Sequence, residues 1–219
     1  FYRPDKKTID NVMSPQEYLS YDKRMLFLYG EIAPIYYDDS LMKGPTWIKG
    51  YNAHYIADSI MAMDIEDDTK PIILVINSPG GWVETGLTLY DTMKMVKSPV
   101  YTIGRNCQSL AVVLLAAGCN GYRYVLPNSR MMLHLPSGSM SGDSEQIAIR
   151  SKELQEIKNV LVKLLKENGA KRSSEEILKD IDREYWMSAQ EVIDYGIADQ
   201  VMGYKQWEDI CSIEGKSEK

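Results

Sequence analysis

A serine at the start of an apolar segment is the first residue whose position could support covalent chemistry. Ser109 follows a polar break at 104–108 and begins the run SLAVVLLAAG at 109–118, so it is predicted to occupy a helix N-terminus. Serine is a preferred N-cap residue, which explains the position without any chemistry. A hydroxyl there also lies beside free N–H groups and the positive end of the helix dipole, which favour negative charge. Ser109 is therefore a candidate cap and a candidate nucleophile.

The second candidate is His134, one of only two histidines in the chain. It lies near the end of the predicted strand at 130–135, and two-residue alternation places it on the same face as Met132. A neutral imidazole here, just before Pro136, needs a partner for each ring nitrogen. It is either a hydrogen-bonded core histidine or a general base. His54 lies in a predicted helix and is assigned no role.

A Gly-Gly turn interrupts the stretch PIILVINSPGGWVETG at 71–86, around which the rest of the chain is organised. Its apolar, β-branched start predicts a strand buried on both faces, as in a parallel sheet covered by helices. Pro79 cannot donate to a ladder, and Gly80 and Gly81 tolerate positive φ, so the chain should turn sharply and present bare N–H groups. The turn is either only a tight connection or the place where Gly81 N–H meets a substrate oxygen.

The elements that must position these residues are strand and helix patterns in succession. Apolar runs predict further strands at 25–29, 100–103, 122–126 and 197–202. Helices are predicted at 55–63, 84–96, 109–118 and 144–168, and two capping boxes, Ser173 with Glu176 and Ser188 with Glu191, predict two short ones. Successive strand–helix units imply right-handed crossovers, a parallel sheet and an α/β fold.

The long helix at 144–168 carries its apolar residues three and four positions apart, as a narrow stripe that ends before Gly169. Such a helix need not pack on its own domain and is predicted to interlock subunits.

The sequence patterns divide the chain into a polar arm at 1–22, a main domain at 23–203 and a frayed tail at 204–219. The main domain includes an irregular, aromatic-rich loop at 33–50 and a turn-and-helix region at 136–168.

Composition narrows the functional class. The chain has 219 residues, 44% of them hydrophobic, a net charge of −6 and no basic stripe, which argues against nucleic acid as a partner. The longest apolar run, at 110–117, is too short to cross a membrane, and no signal-peptide pattern opens the chain.

The cysteines bear on the compartment. They are odd in number and lack metal-ligand spacing: Cys107, Cys119 and Cys211. This pattern predicts buried thiols in a reducing compartment such as the cytoplasm. Because the chain begins with Phe1, a removed leader and an organellar stroma or matrix stay open.

Five motifs occur together in this chain: INSPGG at 76–81, YDTM at 90–93, LLAAG at 114–118, PNSR at 127–130 with a histidine soon after, and MSAQEVIDYGIAD at 187–199. Over residues 24–202 they resemble the proteolytic subunit of the Clp protease, ClpP. The resemblance implies an α/β fold of the crotonase-like spiral type, built of ββα units with a protruding long helix. It makes 23–203 the protease domain, 33–50 an inserted loop and 136–168 the handle region.

The resemblance also implies an activity and partners. The chain would be a serine endopeptidase that cuts unfolded polypeptides inside a barrel of two stacked heptameric rings, formed by one subunit type or a mixture. An AAA+ unfoldase of the Clp family would feed the barrel and use the ATP. No cofactor is expected in this subunit, and neither nucleic acid nor a membrane is expected as a partner.

Carried over residue by residue, the resemblance gives Ser109 the role of nucleophile and His134 that of general base, 25 positions later as in the family. Gly81 and Leu110 would supply the oxyanion-hole N–H groups. Glu184, in DREYWMSA at 182–189, takes the place of the family's aspartate. These roles would form an acyl-enzyme by proton transfer to the imidazole, with two amides meeting the charge on oxygen.

The chain departs from the family pattern at several points. Glu184 is one methylene longer than aspartate, and Asp182 and Asp180 stay open as substitutes, as does the reading that all three are solvated charges at a helix end. The approach to the nucleophile, GRNCQ at 104–108, is one residue short, and Ala111 replaces a glycine. The family's apolar N-terminal axial loop is not evident.

Two other functions follow from these departures and from the fold. The chain could be a proteolytically weak or silent subunit that shapes a mixed ring and recruits an unfoldase through the loop at 33–50. Retention of Ser109 and His134 argues against it. An enoyl-CoA hydratase or isomerase shares the spiral fold and a backbone oxyanion hole, but its acidic catalysts and nucleotide site have no counterpart that can be placed here.

Overall fold

The computed structural model describes residues 23–33 and 53–212. The predicted arm at 1–22, residues 34–50 of the predicted inserted loop and the last seven residues of the predicted tail lie outside this part.

Strands and helices alternate along most of the described residues, as the hydrophobic patterns predict, except that two strands and then two helices follow one another at 123–180. The strands are β1 (Met25–Tyr29), β2 (Ile72–Ser78), β3 (Val100–Gln108), β4 (Arg123–Val125), β5 (Arg130–Leu133), β6 (Tyr185–Ser188) and β7 (Gln200–Val201). The helices are α1 (Ala53–Glu66), α2 (Val83–Met95), α3 (Leu110–Ala116), α4 (Ser144–Glu167), α5 (Ser174–Asp180), α6 (Ala189–Tyr195) and α7 (Tyr204–Ser212). Both predicted capping boxes are present, at the starts of α5 and α6.

One sheet organises the domain, with strand order β1-β2-β3-β4-β7, all parallel. β2 lies between β1 and β3, and its apolar residues are buried on both faces, which confirms the prediction from its sequence. The larger core lies on the face covered by helices, and every residue of α3 is buried in it. A smaller apolar cluster, which includes Met25, Val75 and Tyr124, covers the other face.

Strand β3 is longer than its sequence indicates. The polar segment at 104–108, predicted to be a break, continues the strand to Gln108. A register shift against β2 between Ile76 and Asn77 leaves Arg105 unpaired, and its exposed guanidinium donates to Tyr29 Oη at 2.9 Å. A bulge of this kind lets a strand carry an outward polar side chain and still keep its ladder. The first half of β3 pairs with β4 and its end pairs with β5.

Residues 204–212, predicted to be part of a frayed tail, form the helix α7 instead. The reason is that Trp207 and Ile210 are three positions apart, so one face of the helix is apolar. Ile210, only 4% exposed, packs in the smaller cluster, and Trp207 lines a cavity of about 260 Å³ beside Met25 and Phe27.

The cysteines are free thiols, but only one is buried. Burial raises the pKa of the Cys107 thiol, so this thiol stays protonated. Cys119 and Cys211 are exposed, so the prediction of buried thiols is wrong for these two.

An ion pair between the buried Arg123 and the partly exposed Asp199 connects the sheet to two helix ends. Arg123, 5% exposed, binds both carboxylate oxygens of Asp199. It also donates to the carbonyl oxygen of Ala116, the last residue of α3, and to that of Asn168, the residue that follows α4. Burial opposes ionisation of Asp199, but hydrogen bonds and charge from Arg123 more than offset it, so the pKa of this carboxyl lies below its ordinary value.

Asp199→Ala is expected to lower the free energy of unfolding by about 3–5 kcal/mol, because it leaves the buried Arg123 charge without its carboxylate partner. Since the folded-state pKa of Asp199 is depressed, its contribution is complete above pH about 4 and is lost as the pH falls through that lower pKa. Urea unfolding at fixed protein concentration, from pH 7 downward, measures both effects.

The control is Glu167→Ala, which removes an exposed pair with Lys163 at 3.7 Å and should cost less than about 1 kcal/mol. Equal losses for the two variants would contradict a stabilising role for the pair of Arg123 and Asp199.

Candidate active site

The carboxyl ends of three neighbouring strands meet at one edge of the sheet. Ser78 of β2 pairs with Cys107 of β3, which pairs with Met131 of β5. One residue beyond β3, the Ser109 N–H donates to Met132 O at 2.7 Å. Because a parallel sheet aligns its strand ends, the turn after β2, the start of α3 and the end of β5 are adjacent. This edge therefore brings the Gly-Gly turn, Ser109 and His134 into one region.

Ser109 joins β3 to α3 in an uncommon backbone conformation. Its φ is 55° and its ψ is −129°, and among the described non-glycine residues only Arg24 also has a positive φ. Such conformations cost about 1–3 kcal/mol and concentrate at functional sites. The hydroxyl makes no capping hydrogen bond to α3. The capping role that the sequence left open is therefore wrong, and the hydroxyl is not committed to its own helix.

The Gly-Gly turn packs directly against Ser109. A Cβ on Gly80 would lie 2.8 Å from Ser109 Cβ and 2.8 Å from Gln108 O, so only glycine fits between the two turns. The Ser78 hydroxyl holds the turn by accepting from Gly80 N at 3.1 Å. These contacts fix the position of the turn relative to Ser109.

Two backbone N–H groups flank this serine. Ile32 donates to Gly80 O at 2.8 Å and accepts from Trp82 N at 2.7 Å, so the intervening Gly81 N–H points away from Ile32, by the alternation of a parallel ladder. The N–H of Leu110 is in the first turn of α3, where no intrahelical acceptor exists. The amides of Gly81 and Leu110 are the two that the sequence analysis predicts to be oxyanion donors.

A short antiparallel pair lies beyond Ser109. β5 pairs with β6, with Met132 opposite Trp186 and Leu133 opposite Tyr185. Continuing this register by one residue places His134 opposite Glu184. The sequence indicated only charges at a helix end here and did not predict β6, although the β-prone YWMS segment before the capping box was a usable signal.

The three carboxylates considered for the third role have different surroundings. Asp180 accepts from Tyr195 Oη at 3.1 Å, and Asp182 forms an exposed pair with Arg183. Glu184 is exposed, and its Oε2 accepts from Trp186 Nε1 at 3.0 Å. Of the three, Glu184 is the one whose strand register leads to His134.

Ser109 and His134 are half-buried, so the site has access to solvent. Within residues 23–33 and 53–212, no hydrogen bond joins the Ser109 hydroxyl, the His134 ring and the Glu184 carboxylate to one another. In unliganded enzymes, catalytic hydrogen bonds are often long and tighten only with substrate. The buried Cys107 thiol, two residues before Ser109, is protonated and donates to Ile76 O, so it is unsuited to act as nucleophile. The same described ranges contain no cluster of three His, Cys, Asp or Glu side chains able to hold a metal ion.

Comparison with known proteins gives two consistent results. The sequence model of the Clp protease family matches residues 35–205, which include all five candidate site residues. The chain is also similar to an ATP-dependent Clp protease proteolytic subunit of Streptococcus sanguinis. The two are 38% identical over 165 residues, which cover 74% of this chain and 83% of that protein.

Proposed function

The chain belongs to the Clp protease family, which makes it a Clp-type serine peptidase of α/β, crotonase-like fold, and we propose that it cuts unfolded polypeptides with Ser109 as nucleophile. The observation that supports this role most directly is the free Ser109 hydroxyl at a strained strand-to-helix junction, packed against the Gly-Gly turn. Fold alone would not assign a reaction, but these groups match the requirements of acyl transfer.

In the proposed reaction, His134 takes the hydroxyl proton as Ser109 Oγ attacks the carbonyl carbon of a peptide bond. The imidazolium then donates that proton to the departing amine, which leaves an acyl-enzyme. Water, deprotonated by His134, attacks the ester carbonyl; the bond to Ser109 Oγ then breaks, and the imidazolium returns the proton to Oγ as the carboxylic acid product leaves. Glu184 holds the imidazole in the tautomer that accepts from serine and stabilises the imidazolium.

Two amides stabilise the tetrahedral intermediates. The N–H groups of Gly81 and Leu110 would donate to the carbonyl oxygen as it gains negative charge. Backbone donors held by the Ile32 bridge and by the first turn of α3 need no reorganisation at that moment. This arrangement requires no metal or organic cofactor, and we propose that the subunit uses none.

Assembly into two heptameric rings, served by an AAA+ unfoldase of the Clp family, belongs to the same proposal. It is supported by α4, whose residues up to about 160 are mostly exposed and include the apolar Ile149 and Val160, which are eleven positions apart and so share one face of the helix. An exposed apolar helix face is typical of a subunit contact. We propose 23–203 as the protease domain, with 136–168 as the handle.

None of the described helices could span a membrane. The exposed free thiols fit a reducing compartment such as the cytoplasm.

The proposal predicts a large assembly with unfolded-protein hydrolase activity. Fourteen subunits of 25.0 kDa would have a mass of about 350 kDa by native mass spectrometry or size exclusion. The assembled protein should hydrolyse short peptides alone, and folded proteins only with a Clp-family unfoldase and ATP. An assembly that hydrolyses neither peptides nor unfolded casein, alone or with an unfoldase, would contradict the proposal.

A weak or silent subunit of a mixed ring is the second candidate function. It is favoured by one observation: within the described residues, the His134 ring makes no hydrogen bond to the Ser109 hydroxyl or to the Glu184 carboxylate. Peptidase assays on the homo-oligomer and on mixtures with an active partner subunit separate the two functions. Activity only in the mixtures, unaffected by Ser109→Ala, would favour the silent subunit.

A further inference from the structure

The hydrogen bond between Trp186 and Glu184 is a contact that neither the family match nor the sequence motifs assign. The indole Nε1–H of Trp186 donates to Glu184 Oε2 at 3.0 Å. The two residues are two positions apart, so their side chains lie on the same face of the extended chain at β6. An indole N–H can only donate, and an ionised carboxylate can only accept, so the contact is a charge-assisted bond of fixed direction.

This contact lies next to the proposed catalytic histidine. Trp186 is opposite Met132, and continued register puts Glu184 opposite His134. The carbonyl of Met132 also accepts from Ser109 N at 2.7 Å, so the cross-strand partner of Trp186 is anchored to the nucleophile's own backbone. Trp186 therefore lies two positions along the strand from Glu184, the residue that continued register places opposite His134.

The chemical need for such a contact comes from the length of the glutamate. Glu184 is exposed and has one more rotatable bond than an aspartate, so its carboxylate is free to sample several positions. A donor that engages Oε2 restricts the carboxylate and leaves Oε1 available to accept from the His134 Nδ1–H. The indole N–H thus restricts the orientation of a side chain that would otherwise be flexible.

We propose that Trp186 is a positioning residue that orients Glu184 toward His134 through its indole N–H. The inference rests on the proposed function, because it gives Trp186 a role only if Ser109, His134 and Glu184 carry out hydrolysis. Trp186 itself does not touch the reacting atoms and acts on the rate through the carboxylate.

The test is Trp186→Phe, which removes the N–H and keeps an aromatic ring on the strand. Peptide hydrolysis by the assembled protein should show kcat lowered about tenfold with KM changed less than about twofold, because the loss is in orienting the base and not in binding. Trp207→Phe is the matched control: Trp207 is 42% exposed and Trp186 41%, but Trp207 lies on α7, on the other face of the sheet. Its kcat should remain at the wild-type value.

The double variant with Glu184→Gln decides whether Trp186 acts through the carboxylate. If it does, Trp186→Phe should have less than about a twofold effect in the Glu184→Gln background, a non-additivity expected of coupled residues. A full tenfold effect in that background, a raised KM with unchanged kcat, or a kcat for Trp186→Phe equal to that of Trp207→Phe would each overturn the inference.

Failure of this inference is distinct from failure of the proposed function. Inactive wild-type assemblies that resist a serine-directed fluorophosphonate would refute the hydrolase and the positioning role together. Active wild-type assemblies with an equally active Trp186→Phe variant, of normal mass and circular dichroism, would refute the positioning role alone.

Discussion

Ser109→Ala is expected to lower kcat for peptide hydrolysis by about 10⁵–10⁶-fold, because the variant lacks the oxygen that forms the acyl-enzyme. The same variant should lose labelling by a fluorophosphonate probe. Its free energy of unfolding should change by less than about 0.5 kcal/mol, because the hydroxyl makes no capping bond and alanine meets the same backbone constraint at φ 55°.

Ser173 provides a control with the opposite expectation. Its hydroxyl caps α5 by accepting from Glu176 N at 3.2 Å, in a complete capping box. Ser173→Ala should therefore cost about 1 kcal/mol of stability and leave peptidase activity and probe labelling intact. Two helix-starting serines would then separate into a catalytic one and a structural one.

Activity assays, probe labelling and urea unfolding on both variants measure this separation. If Ser109→Ala kept its labelling, or lost stability as Ser173→Ala does while it remained active, Ser109 would be a structural residue and the proposed mechanism would be wrong.

Gly80→Ala is expected to lower kcat by about 100–1000-fold, as much as the loss of one oxyanion donor, because it should displace Ser109 or one of the proposed donor amides. The new methyl group would need to lie 2.8 Å from Ser109 Cβ and from Gln108 O, and 3.2 Å from Leu110 N. Neither turn can yield without moving the serine or the amides beside it. The substitution should therefore displace Ser109 or Leu110 N, although neither residue is itself changed.

Gly121→Ala is a control matched in backbone conformation. Gly80 has a φ of 89° and Gly121 a φ of 87°, but a Cβ on Gly121 would meet nothing within 4 Å. Both alanines therefore bear the same left-handed strain of about 1–2 kcal/mol, and only Gly80→Ala also crowds the site.

Steady-state kinetics on the assembled variants, with stability measured in parallel, tests this expectation. Equal kcat values for the two alanine variants would show that the close approach of the Gly-Gly turn to Ser109 does not matter for catalysis.

Local patterns were enough to predict the buried strand β2, the long helix α4 and both capping boxes. They succeeded because apolar periodicity and capping chemistry involve residues within a few positions of one another. The same reasoning placed Ser109 at a helix start, and the five motifs together indicated the family. The nominated residues Gly81, Ser109 and Leu110 lie at strand and helix ends that such patterns locate well.

Long-range pairing was not predictable in this way. β6 is only four residues long and lies among charges, so its β-prone residues were not enough to distinguish it from a helix end, and pairing with β5 makes it a strand. The polar second half of β3 is likewise a strand because β2 and β5 supply its partners. Tail residue Ile210 is buried because α7 covers apolar side chains that come from strands far away in the sequence.

The sequence by itself determined the family, the place of Ser109, the proposed nucleophile, before an apolar helix, and the glycines that approach it, since each depends on neighbouring residues. Tertiary structure alone decided which carboxylate lies on the register of His134, that the Ser109 hydroxyl is not a cap, and that Trp186 binds Glu184. The reason is physical. A residue's own type fixes what it can donate or accept, but only the pairing of distant strands fixes what it meets.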